Sequence, residues 1–154
     1  MKTRTILGSL VAFFAGLALC LAADVNLGTW KLNDAKSKFA AGATKNMTVV
    51  YEVVGDGMKV TVDAVDKDGK PSHTEWTGKF DGKDNPVTGA TNEDTRAYTK
   101  VDDRTLDFTS KKGGKVTATG RVVVAADGKS RTVTTTVTDA SGKKMTSTAV
   151  YDKQ

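Results

Sequence analysis

The chain has 154 residues, with 23 Lys and Arg against 18 Asp and Glu, one His, one Cys and a formal net charge of +5. That length holds a single domain once a leader is set aside. The basic residues are spread over almost every predicted strand and turn, which excludes the concentrated basic face that nucleic acid recognition needs.

The chain opens with Lys2 and Arg4, continues with an apolar run from Ile6 to Leu21, and reaches the small residues Ala22 and Ala23 before Asp24. This succession is that of a secretory signal peptide. Residues 1–23 are therefore read as a leader and residues 24–154 as the mature domain. The apolar run is short for a membrane span of ~20 residues, so the mature protein is expected to carry no transmembrane segment. It is placed in the periplasm or outside the cell. Cys20 raises a lipid anchor as the alternative, but Leu19 stands where lipoprotein signals usually have a small residue. With Cys20 removed the mature chain has no disulfide, which fits a bacterial periplasm. Its charge falls to 21 basic against 18 acidic residues.

The mature composition favours strands. Thr occurs 21 times and Val 17 times, Leu three times and Ile never. Val and Thr are stiff at χ1 and suit a pleated surface. Strands are expected near 27–32, 46–54, 58–66, 72–80, 95–101, 104–111, 115–125, 130–139 and 143–151. The pairs Asp56-Gly57, Asp68-Gly69, Asp81-Gly82, Gly113-Gly114, Asp127-Gly128 and Ser141-Gly142 supply the turns, since hairpin turns need positive φ. The segment 34–43 is read as a turn or one short helix. The segment 84–94, with Pro86 and Gly89, is read as an irregular connection with room for one short strand.

Alternation assigns the faces. Met58, Val60, Val62 and Ala64 share one face of their strand; Trp76, Gly78 and Phe80 oppose His73, Glu75 and Lys79. Leu106 and Phe108 oppose Asp107 and Thr109. Val116, Ala118, Gly120, Val122 and Val124 line up together, and Val133 and Val137 face away from a row of threonines. A sheet with one dry face and no helix to cover it must close on itself. The fold expected is all-β, a single antiparallel up-and-down meander closing into a barrel of about 8–9 strands.

Gly28-Thr29-Trp30 on the first strand resembles the Gly-x-Trp signature of lipocalins. The stretch Gly28 to Asn33 also resembles the start of small exported bacterial proteins of lipocalin-like, calycin-like form. The resemblance implies that Trp30 closes the barrel floor and packs against an Arg from a late strand, here Arg121 or Arg131. Gly28, Trp30 and that Arg would then be structural.

Catalytic groups are scarce. His73 and Glu75 share a strand face that the pattern puts outside, and no Ser stands in a nucleophile-elbow context. One His without a Cys excludes the usual zinc sets. Asp66-Lys67-Asp68-Gly69 looks like the start of a calcium loop but lacks the later acidic ligands, so it reads as a hairpin turn. No metal, cofactor or enzymatic activity is expected. Arg96 and Tyr98 are two apart and share a face. An inward Arg beside a phenol can hold a carboxylate, and the pair resembles the Arg-x-Tyr of fatty-acid-binding proteins, although here it lies mid-chain. Trp76 and Phe108 would line the apolar end. On this reading, removing Arg96 weakens ligand binding and leaves stability unchanged. The expected function is a non-catalytic, monomeric barrel holding a small apolar or amphipathic molecule. The alternative is a solid-cored structural or envelope-interaction protein.

Overall fold

Strands rich in Val and Thr, separated by tight turns, pair most readily with their neighbours in sequence. The computed structural model describes residues 24–154, so the leader reading, Cys20 included, lies outside the described residues. Ten strands follow one another: β1 (Gly28–Lys38), β2 (Lys45–Val54), β3 (Gly57–Val65), β4 (Pro71–Gly78), β5 (Asn85–Thr88), β6 (Thr95–Lys100), β7 (Thr105–Lys112), β8 (Lys115–Val124), β9 (Ser130–Thr138) and β10 (Lys144–Lys153). Each pairs antiparallel with the next, and β1 pairs with β10, so the meander closes into a barrel. The strand beyond the nine expected is β5, which occupies part of the segment read as irregular.

Local chemistry explains where the strands depart from expectation. Among the described residues there is no helix, and residues 34–38 extend β1 instead. Ser37 Oγ donates to the Asn33 carbonyl at 2.7 Å and accepts from Val150 N–H at 2.9 Å. These bonds tie a bulged stretch of β1 to β10, and the chain turns only at Ala40–Ala43. The β2–β3 hairpin turns one residue earlier than the sequence suggests: the positive φ of +60° belongs to Gly55, at the first central position. Gly57 is needed for a different reason, because a Cβ there would lie 2.7 Å from the Gly78 carbonyl oxygen. Asp81-Gly82 is not a hairpin turn at all. Residues 79–82 run beside β6, with Gly82 N–H donating to Tyr98 O and Lys100 N–H to Phe80 O, and fill the gap left below the short β5. Asp66 accepts from the Asp68 and Lys70 backbone N–H groups, each at 2.9 Å, so its carboxylate serves the β3–β4 turn.

The inward faces are those that alternation assigns, with one exception. Met58, Val60, Val62 and Ala64 are buried, as are Trp76, Leu106, Val122 and Val124. Val116 is 48% exposed, because a bulge in the β7–β8 pairing sets it opposite Lys111 rather than in line with Ala118. One end of the barrel is packed solid around Trp30, Trp76, Leu106, Val60 and Val124. Farther toward the other end Gly120 stands opposite Phe108, and a Cβ at Gly120 would sit against the Phe108 ring and 2.7 Å from the Thr134 carbonyl oxygen. Gly120→Ala is expected to destabilise by about 1–3 kcal/mol through overpacking, measured by urea unfolding. A variant as stable as the wild type would show that Phe108 has free space to move.

Candidate functional site

The other half of the barrel encloses a cavity of about 460 Å³. Its mouth is framed by the β1–β2 turn, the β3–β4 turn and the 89–93 segment, with Phe39, Thr44, Lys70, Ala90 and Asn92 at the rim. Its walls are small side chains of both kinds: Val62, Ala64, Ala118, Val122, Val133 and Ala149 stand among Ser72, Thr74, Thr135 and Ser147. The size follows from composition. Inward Val, Ala, Ser and Thr leave a barrel of this circumference unfilled, whereas the closed end receives the large aromatic rings.

Two arginines line this cavity, and their surroundings differ. Arg96 projects inward from β6 and meets Glu93, just ahead of the strand. Its Nη2 pairs with Glu93 Oε1 and its Nε donates to Glu93 Oε2 at 3.1 Å. Nε also reaches Ser110 Oγ at 3.3 Å, and Nη1 donates to Tyr98 Oη at 3.1 Å. Burial alone would lower the Arg96 pKa, but the Tyr98 phenol and the Glu93 carboxylate reverse this and raise it. The Tyr98 phenol is itself raised, chiefly by burial. Arg96 and Tyr98 thus share the inner face as their spacing implies, yet the carboxylate beside them is the chain's own. Glu93 is the residue that the sequence did not single out.

Phe108 lines the cavity next to this cluster, its ring centre 5.8 Å from Arg96 Cζ. Trp76 does not line it. Its ring stacks on Phe80 and meets Tyr98 edge-on with centroids 4.8 Å apart, while its Nε1 donates to the Arg96 carbonyl at 2.7 Å. Trp76 therefore supports the backbone of Arg96 from the packed side.

Arg131 lies at the cavity's closed end. Its Cζ is 4.7 Å from the Trp30 ring, 5.0 Å from Tyr51 and 4.9 Å from Tyr151. Trp30 is fully buried and its Nε1 donates to the Asn26 carbonyl at 2.7 Å. Trp30 is outside the cavity lining and Arg131 is within it, so the guanidinium is the layer between floor and cavity. Gly28 opens β1 with a φ of +107°. Of the two arginines considered for the floor, Arg121 is on the exterior. It follows inward Gly120 by one residue and makes a two-pronged pair with Asp107, Nε to Oδ1 at 2.6 Å and Nη2 to Oδ2 at 2.8 Å.

Arg131 is only 2% exposed, and neither its Nε nor its Nη1 has a hydrogen-bond partner among the described residues. Three aromatic faces contribute about 0.5–2 kcal/mol each to such a cation. Each unpaired buried donor costs about 1–3 kcal/mol, and the rings bring no negative charge. Burial pushes the neighbouring Tyr151 phenol up to about 12 even though Arg131 pulls it down.

His73 and Glu75 are on the barrel exterior, far from this chemistry. His73 Nδ1 lies 2.6 Å from Asp63 Oδ1 and its Nε2 3.6 Å from Glu75 Oε1. The hydrogen bond to Asp63 is the main cause of a raised His73 pKa. No protein-family model matches this chain, and no curated protein matches it either.

Proposed function

We infer that this is an exported, non-catalytic barrel of lipocalin-like form that holds a small apolar or amphipathic molecule. The observation that carries this reading is the cavity of about 460 Å³ lined by small side chains, both apolar and polar, which falls within the ~300–1,000 Å³ of small-molecule sites. Export rests on the leader-like residues 1–23 alone. The rival reading, a solid-cored interaction protein, leaves the small inward side chains and the enclosed volume without a use.

Nile red, an uncharged fluorescent probe, tests the cavity without reference to charge. It is expected to bind the mature protein with saturable, one-to-one stoichiometry. Ala149→Phe, which puts a ring into the cavity from its side wall, is expected to reduce that affinity at least tenfold with the fold retained by circular dichroism. Equal binding by the folded variant would remove the cavity as the site.

A further inference from the structure

We propose that the ligand carries an anionic head group and seats it at the cavity floor over Arg131, with its apolar part running up the valine and alanine walls. This rests on the reading that the cavity holds a ligand. It names both the chemical class and the orientation.

The argument is one of unmatched charge. Three of the wholly or largely buried side chains that line the cavity are charged near neutral pH: Glu93, Arg96 and Arg131. Glu93 and Arg96 neutralise each other through two oxygens and two nitrogens. Arg131 faces three rings and has two donors without acceptors. A guanidinium cannot shed its proton to escape this position. The interior is therefore one positive charge in excess, in a low-dielectric space where a carboxylate would interact strongly. Tyr51 and Tyr151, which flank Arg131, also line the cavity, so phenols stand beside the same end. Directly above Arg131 the wall carries Val122, Val133 and Ala149, which stand opposite one another across β8, β9 and β10, an apolar band that suits the start of an aliphatic chain. Arg96 is the weaker candidate for the head group, because a ligand carboxylate there would have to displace Glu93.

The test compares dodecanoate, dodecanol and dodecyltrimethylammonium as competitors of Nile red on the wild-type protein. Dodecanoate is expected to bind at least tenfold more tightly than either of the others. Arg131→Gln should abolish this preference and Arg131→Lys should retain it. The two tryptophans of the chain locate the head group without any variant. The Trp30 ring stacks on Arg131, whereas Trp76 Nε1 donates to the Arg96 backbone. In ¹H–¹⁵N spectra, the shift difference between dodecanoate- and dodecanol-bound protein should fall on the Trp30 indole. A difference confined to Trp76 would move the head group to Arg96 and overturn the proposal. Equal affinities for the three chains would overturn it while leaving the cavity reading intact. Failure of Nile red itself to bind would overturn both.

Discussion

Arg96→Ala is expected to lower stability by about 3–5 kcal/mol, because it leaves a buried carboxylate without its partner. The side chains of Arg96 and Glu93 are only 14% and 6% exposed, so solvent cannot replace the lost guanidinium. The same substitution also strips Tyr98 and Ser110 of their donor. This reverses the expectation drawn from the Arg-x-Tyr spacing, on which loss of Arg96 would change binding alone. Glu93→Gln combined with Arg96→Ala should recover most of the loss, since no charge then remains to be buried. Urea unfolding of the two variants decides the matter. A cost below about 1 kcal/mol for Arg96→Ala would place the pair among solvent-screened surface bridges.

Trp30→Ala is expected to cost about 3–5 kcal/mol, the range for deleting a large aromatic from a closed core. The ring is fully buried, is anchored through its Nε1 to Asn26, and covers the Arg131 guanidinium on the side away from the cavity. The same denaturation series measures it. A loss below about 1 kcal/mol would mean that the barrel floor is held by other residues.

Much of the barrel was legible because its rules are local. Alternation of Met58, Val60, Val62 and Ala64 against Lys59, Thr61 and Asp63 fixes the faces of β3 without knowledge of its neighbours. The inward direction of Arg96 and Tyr98 followed from the same parity. Bulges escape such reasoning, since the extra residue that turns Val116 outward is set by pairing with β7 and leaves no mark on β8 itself. Glu93 escaped for a related reason. It stands in an irregular segment with no period to assign its side, and an acidic residue beside Asn92 and Asp94 looks like solvated surface. Its only signal was its place three residues ahead of an inward arginine. The choice between Arg121 and Arg131 was open to parity once Gly120 and Val122 were placed inside. The aromatic box around Arg131 was not, because its rings come from β1, β2 and β10.

The pairing of β1 with β10 separates the barrel's assembly into two kinds of event. Every other strand pair joins consecutive strands and can zip up as soon as its turn forms, at low entropic cost. The β1–β10 seam joins residues such as Asn33 and Asp152, which are 119 positions apart, so its loop-closure cost falls on the whole chain at once. Until the last strand arrives, the nascent sheet presents two unpaired borders, those of β1 and β9, as templates for another molecule. A substitution that weakens the seam, in β1 or β10, should therefore prolong the time spent as an open sheet and reveal itself first as aggregation during refolding, before any change in the finished barrel.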